Sequence, residues 1–174
     1  MSVPEVVAAY EALRPIIKHF ELSTKSKEQL DACIKILNLR QIHLISWSGT
    51  RMAHFVSACS QFVKLLPAVY DTMYSTNIKK EERDTLFKVE NIFTIVLLSD
   101  LTPFFKENFL RSMDKDILLI STVVGTASEI ALKFQGVETP EADKFIDRLN
   151  LDAMGNLNGK VKIQGEEHTM RLVA

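Results

Sequence analysis

The amino-acid sequence predicts an all-α protein, a bundle of about six helices, and three observations support this fold class. The first is a stripe of apolar residues at helical spacing from Met52 to Met73, the longest regular stripe in the chain. The second is a pair of similar stripes after it, over 86–101 and 117–134. The third is composition, which indicates that these helices pack into a folded domain, since 47% of the 174 residues are hydrophobic and 25% are charged. A chain of this length can bury roughly 70% of its surface around a single core.

Two helices are expected in the N-terminal part of the chain. The first has Ser2 as its cap, Pro4 inside its first turn and Glu5 three residues after the cap. Pro15 should kink or divide it, because proline removes a backbone hydrogen bond and clashes with the preceding turn. The second helix can be capped by Ser23, Thr24 or Ser26. Its apolar face has i, i+3, i+4, i+7 spacing, at Leu30, Cys33, Ile34 and Leu37.

A short strand or an extended linker is expected over 41–46, followed by the central helix. Apolar and polar side chains alternate there, at Ile42, His43 and Leu44. Thr50 can cap the helix with the long stripe, which should run to Tyr74. Pro67 interrupts the stripe, but apolar residues continue in phase beyond it, so we expect a bend rather than an end.

Two further helices should follow the central one. Residues 79–83 form a charged opening to the fourth helix, whose apolar stripe continues to Leu101. Pro103 should bend or end that helix. The fifth should begin near 112–114 and end at Gly136, where glycine commonly closes a helix.

The composition of the chain changes at residue 152. Before this point, a sixth helix should begin at Thr139 and Pro140, with one apolar face made by Phe145, Ile146 and Leu149. Residues 153–174 are rich in Gly and Asn, and two short alternations predict a weak hairpin or a loose tail, at Val161, Ile163, Met170 and Leu172. We therefore divide the chain into a helical domain, 1–152, and a tail or hairpin, 153–174.

Cellular location is constrained by the cysteines and by the apolar segments. Cys33 and Cys59 both fall on apolar helix faces, so we expect reduced thiols in a nuclear or cytoplasmic protein, with a disulfide between them as the open alternative. The N-terminal segment lacks the basic-then-apolar pattern of a signal peptide. The longest apolar run, Ile92 to Leu98, is too short for the roughly 20 residues of a membrane span, so no membrane partner is expected.

Catalytic motifs are missing from the sequence. It has no Gly-rich phosphate loop, no Gly-x-Ser-x-Gly, no His-Glu-x-x-His and no Cys-x-x-Cys. Asp100 follows an apolar run, but no second acid stands at a pairing distance in sequence, so we interpret it as part of a polar helix face. We expect no enzyme activity, metal, cofactor or small-molecule substrate, since the histidines are also scattered singly, at His19, His43, His54 and His168.

Candidate DNA-contact residues cluster in the junction 47–54. The net charge of −1 provides no overall positive field, so any DNA contact must be local. Arg51, with Thr50 and His54 in the first turn of a helix, could hold a phosphate, and Trp47 could stack on a base. The alternative is structural: Trp47 fills the space at the helix entrance and Arg51 lies on the surface.

One family resemblance involves this junction. The segment Thr50-Arg51-Met52-Ala53-His54, with the long helix to Tyr70, resembles the Thr-Arg-Trp segment of hAT-superfamily transposases and of zinc-finger MYM-type and similar proteins domesticated from them. The order of the helices around it, including Phe87-x-x-Glu90-x-x-Phe93 and Leu98-Ser99-Asp100-Leu101, is also similar. The resemblance covers about residues 5–150.

The resemblance implies a particular place in a larger architecture. In that family an RNase H-like core with an Asp, Asp, Glu triad cuts DNA with divalent metal, and the matched segment belongs to a large helical insertion. None of the three acids can be placed on this chain, and the tryptophan that follows Thr-Arg in the family is Met52 here. The implied function is a non-catalytic fragment or relic of a transposase, nuclear, acting as a weakly DNA-associated or assembly module. The alternative is a helical protein-interaction domain that contacts other chains and does not bind DNA.

Overall fold

A computed structural model describes residues 3–44, 52–105 and 136–173. Within these ranges the chain is mainly helical, as predicted, with seven helices and one small sheet. The predicted fifth helix lies outside the described residues except for Gly136. The helices are α1 (Pro4–Leu22), α2 (Thr24–Ile36), α3 (Met52–Ser75), α4 (Lys80–Leu86), α5 (Val89–Asp100), α6 (Thr102–Phe105) and α7 (Pro140–Asp147).

Helices α1 and α2 follow each other with one residue between them. Val3 is the N-cap of α1 and makes no side-chain capping bond, and the predicted cap, Ser2, lies outside the described residues. Pro15 does not divide α1, whose buried face packs against α2, α4 and α5 and compensates for the lost backbone bond. Ser23 caps α2 as predicted, and its hydroxyl accepts the N–H of Ser26 at 3.2 Å.

Helix α3 is the centre of the fold, as the long stripe predicts. It packs against α2, α5, α6 and the sheet. The stripe is fully buried at Phe55, Cys59, Phe62 and Leu66. The helix continues through Pro67 to Ser75, which confirms that this proline does not end it. Thr50, its predicted cap, lies outside the described residues.

The sequence predicted that the fourth helix continues without interruption to Leu101. This prediction is wrong, because the helix is interrupted between α4 and α5. Residue Val173 pairs with the chain at this break: its N–H donates to the carbonyl of Phe87 at 2.9 Å, and its carbonyl accepts the N–H of Val89 at 3.1 Å. These bonds replace helical ones. Helix α5 then ends at Asp100, and Pro103 lies within α6 rather than at the end of α5.

Of the two alternatives predicted over 41–46, a short strand or an extended linker, the described part, 41–44, forms no strand. The alternation itself is present, since Ile42 and Leu44 pack partly buried against the core while His43 is exposed. Within the described residues no strand lies beside this segment to complete a ladder. The alternation therefore identified the side chains that face the core, but it did not indicate a strand in a sheet.

The C-terminal region is a folded hairpin rather than a loose tail. Its sheet has the antiparallel order β1-β2-β3, and the β2–β3 pairing has Lys160 opposite Thr169. The strands are β1 (Asn150–Leu151), β2 (Leu157–Ile163) and β3 (Glu166–Arg171). The predicted alternating residues are buried in the same core as the helices, at Val161, Ile163, Met170 and Leu172.

Helix α7 begins at Pro140, as predicted, but its buried face differs from the predicted one. Ala142 and Phe145 are buried, and Leu149 is partly buried. Ile146 is 52% exposed, so its assignment to the apolar face is wrong. Ile146 lies about 100° further around the helix than Phe145, so it stands at the edge of the buried face.

Candidate functional site

Most of the predicted contact site lies outside the described residues. Trp47, Thr50 and Arg51 fall in the range 45–51, for which the structure gives no placement. His54 is described, and it is exposed in the first turn of α3. Of the four predicted residues, the structure therefore places His54.

A cleft of about 220 Å³ lies between α1, α2 and residues 42–44. Its floor is apolar and its rim is charged. The floor is formed by Ile17, Phe20, Leu30, Ile42 and Leu44, and the rim by Glu21, Lys27, Asp31 and His43. Sequence reasoning missed this cleft because a short strand or an extended linker over 41–46 does not indicate what residues 42–44 pack against. The signal was present in the alternation of Ile42, His43 and Leu44.

The two helices that form the cleft are joined by a compact polar turn. Ser23 and Ser26 share a hydroxyl–hydroxyl bond of 2.9 Å, and the ring nitrogen Nε2 of His19 lies 2.8 Å from the Ser26 hydroxyl. Ser26 is itself buried, so this small network satisfies a polar side chain at the helix junction. It fixes the end of α1 against the start of α2, and so fixes two walls of the cleft.

Burial raises the pKa of both cysteine thiols in the chain. Cys33, on α2, is half-buried, and burial raises the pKa of its thiol above the ordinary value. Burial also raises the pKa of Cys59, which is fully enclosed. A raised pKa leaves the thiol protonated and unreactive. Both cysteines are free, as predicted.

Asp100 is a helix cap rather than a residue of a polar helix face. Its Oδ2 accepts the backbone N–H groups of Glu141 at 3.0 Å and Ala142 at 2.9 Å, in the first turn of α7. Burial raises the pKa of the Asp100 carboxyl, although the two N–H donors act to lower it. The contact joins the end of α5 to the start of α7, so this carboxylate has a structural role.

A second polar cluster lies where α3, α4 and the hairpin meet. The guanidinium of Arg83 lies over the ring of Tyr74, 4.2 Å from its centroid, and the Tyr70 ring centroid lies 4.9 Å from that of Tyr74. The Tyr70 hydroxyl accepts the N–H of Arg171 at 3.1 Å. Burial is the largest cause that raises the pKa of Tyr74 to about 12, and the neighbouring Tyr70 adds to it. These contacts link α3, α4 and the hairpin.

Two further observations concern the described residues as a set. No three His, Cys, Asp or Glu side chains among them are grouped so that they could hold a metal ion. No helix in the described ranges is long and apolar enough to cross a membrane.

Comparison with known proteins finds no family model, no curated protein and no solved structure that matches the chain. The resemblance to hAT transposases therefore stays a prediction.

Proposed function

We propose that this chain is a non-catalytic helical assembly module that binds a segment of another polypeptide in the cleft between α1, α2 and residues 42–44. The observation that supports this function is the cleft itself, which combines an apolar floor with a rim of both charge signs. Interfaces between proteins combine apolar anchors with a polar rim in the same way.

The volume and charge of the cleft favour a peptide over other ligands. At about 220 Å³ it is smaller than the roughly 300–1,000 Å³ typical of small-molecule sites, so it suits one or two inserted side chains. Glu21 and Asp31 on its rim would repel a phosphate backbone. The matching peptide has one large apolar side chain, flanked by a basic residue facing Asp31 and an acidic residue facing Lys27.

The origin of the chain belongs to the same proposal. A domesticated relic of the helical insertion of a hAT-like transposase, located in the nucleus, would retain a helical scaffold and no catalytic acids. An assembly role is consistent with such an origin, because an isolated insertion presents faces to other chains. The resemblance of Thr50-Arg51 and the following helix supports this part of the proposal.

A second candidate function is weak DNA association at the junction 47–54. The observation that favours it is the exposed position of His54 in the first turn of α3. Free N–H groups and the helix dipole make such a turn attractive to anions. The cleft and the junction are separate sites in the sequence, so each can be tested without the other.

Peptide selection followed by charge exchange tests the cleft. Peptides selected from a random phage-displayed library on the wild type would be measured by fluorescence anisotropy against a Lys27→Glu/Asp31→Lys double variant. This variant keeps the net charge and the i, i+4 spacing on α2 while inverting the rim, so it should remain folded. We expect it to bind the selected peptides about tenfold more weakly, since close charge pairs across an interface couple by at least ~1.5 kcal/mol.

A matched control is available on the same helix. Lys25→Glu/Glu28→Lys exchanges two exposed charges of α2 that do not line the cleft, and it should bind like the wild type. Peptides with their charges reversed should in turn prefer the cleft variant. Equal binding by wild type and cleft variant would exclude the cleft as the peptide site.

A further inference from the structure

The turn of the β2–β3 hairpin has an unusual backbone. Its two residues, Gln164 and Gly165, have φ values of 53° and 93°. A two-residue hairpin turn of type I′ requires positive φ values at both of its central residues. Glycine adopts such a value freely, whereas Gln164 adopts it at a cost. A long side chain therefore stands at a strained position, and its contacts give the reason.

The end of α2 has a matching irregularity. Asn38 has φ 49°, its N–H donates to Lys35 O at 3.1 Å, and the N–H of Leu39 donates to Ile34 O at 3.0 Å. This is the bond pattern of a helix end closed by a left-handed residue. Leu39 and Ile34 are both buried, which completes the usual apolar contact. The carbonyl of Asn38 and the N–H of Arg40 make no bond within the helix and can pair with groups outside it.

Gln164 supplies both partners. With its amide oriented so that the nitrogen faces Asn38, the amide nitrogen donates to the carbonyl of Asn38 at 3.1 Å. Its oxygen accepts the N–H of Arg40 at 2.7 Å. A cavity of about 80 Å³ lies beside this contact, lined by Leu37, Asn38, Leu39, Ile163, Gln164 and Glu166. The two hydrogen bonds connect the hairpin turn to the segment after α2 beside this cavity.

The connection leads directly to the cleft. Residues 42–44 form one of its walls, and they follow Arg40 after a single intervening residue. We propose that Gln164 is a positioning residue: the hairpin turn holds residues 38–40 through the Gln164 amide and thereby sets the position of the cleft wall at 42–44. The consequence for binding rests on the peptide function proposed for the cleft, whereas the consequence for the wall does not.

The sharpest variant is Gln164→Asn. Asparagine tolerates the left-handed backbone at least as well as glutamine, but its side chain is shorter by one methylene and cannot span both partners. Hydrogen exchange, resolved by residue with NMR, should be about tenfold faster at the Arg40 amide, because this N–H loses its side-chain acceptor. The ¹⁵N order parameters of residues 41–44 should fall, while exchange within α3 stays unchanged.

A control and a binding measurement separate this proposal from the proposed function. Lys162→Gln changes an exposed side chain of the same hairpin and should leave the Arg40 amide and residues 41–44 as in the wild type. Peptide affinity should fall about threefold to tenfold in Gln164→Asn, since a mobile wall must be ordered on binding. Unchanged exchange and order parameters in Gln164→Asn would overturn the proposal, whether or not a peptide binds. A looser wall in a protein that binds no peptide would leave the positioning role intact and refute only the function of the cleft.

Discussion

Asp100 shows how one carboxylate can hold two elements together. It lies at the end of α5 and accepts two backbone N–H groups of α7, at 3.0 and 2.9 Å. Burial nevertheless raises the pKa of its carboxyl above the ordinary value. The protonated form is therefore favoured in the folded protein relative to the unfolded chain. As the pH rises through this raised pKa, the contribution of the group to stability falls.

Two substitutions of Asp100 separate charge from capping. Asp100→Asn retains an acceptor oxygen and removes the charge, so the stability of the wild type relative to this variant should decrease as the pH rises from about 4 to 7. Asp100→Ala also removes the acceptor, so it should cost about 1–2 kcal/mol more than Asp100→Asn at every pH, as lost helix caps do. Urea unfolding curves over this pH range measure both effects. A relative stability of the wild type that increased with pH would show that the two N–H donors outweigh burial.

The two helix caps differ in how well the sequence could predict them. Ser23 bonds the N–H of Ser26, three residues away, and this local pattern predicted the cap correctly. Asp100 bonds N–H groups 41 and 42 residues away, so no local pattern contains it. Gln164 is a similar case, since its partners follow α2. Sequence reasoning therefore missed the contacts of residues whose partners are distant in the chain.

The break between α4 and α5 shows the same limit for whole elements. The apolar stripe continues through Phe87 and Val89, which predicted one helix, whereas the backbone there bonds to Val173. Helix α3 was predicted well because its signal is longer and its own hydrogen bonds suffice along 24 residues. An apolar stripe identifies the buried face of a helix. It does not show where the backbone bonds to a distant segment instead of forming its helical hydrogen bonds.

A backbone substitution at Val173 tests this pairing. Val173→Pro removes the N–H that donates to the carbonyl of Phe87, a buried residue. Because this carbonyl loses its donor, Val173→Pro should destabilise the protein by about 1–2 kcal/mol more than Val173→Ala. Val173→Ala is the matched control, since it shortens the side chain and keeps both backbone bonds. Urea unfolding provides the comparison. Equal losses in the two variants would mean that the side chain, and not the backbone pairing, holds the end of the hairpin.

For the whole molecule, periodicity was sufficient to predict the all-α class but not the contribution of the hairpin. Val161 and Met170 are buried in the same core as the helices. The alternation of β2 and β3 indicated these faces, yet its short length could not indicate what they pack against. The cleft could not be predicted either, because its three walls come from α1, α2 and a segment with no regular structure. Such a site appears only when the packing of separate elements is known.

The charge of the whole molecule sets the limit for DNA binding. A net charge of −1 provides no long-range attraction, so binding must depend on the junction 47–54 and on the first turn of α3. One arginine and one helix end neutralise few phosphates, and Met52 lacks the ring that would add ~1–3 kcal/mol per stacked base. We expect dissociation constants no tighter than the non-specific range of ~10⁻⁴ to 10⁻⁶ M, with a steep dependence on salt.

Titration of a DNA hairpin against three proteins at two salt concentrations tests this limit. Arg51→Ala should bind more weakly than the wild type, because a phosphate contact is lost, and Met52→Trp should bind more tightly, because a ring becomes available for stacking. The double variant Lys27→Glu/Asp31→Lys is the control: it changes the cleft and leaves the net charge and the junction unaltered, so it should bind DNA like the wild type. If Arg51→Ala, Met52→Trp and the wild type bind alike, or if none binds at low salt, the junction has only a structural role. DNA association would then be excluded as a function of these residues, while the peptide-binding proposal would still depend on its own measurement at the cleft.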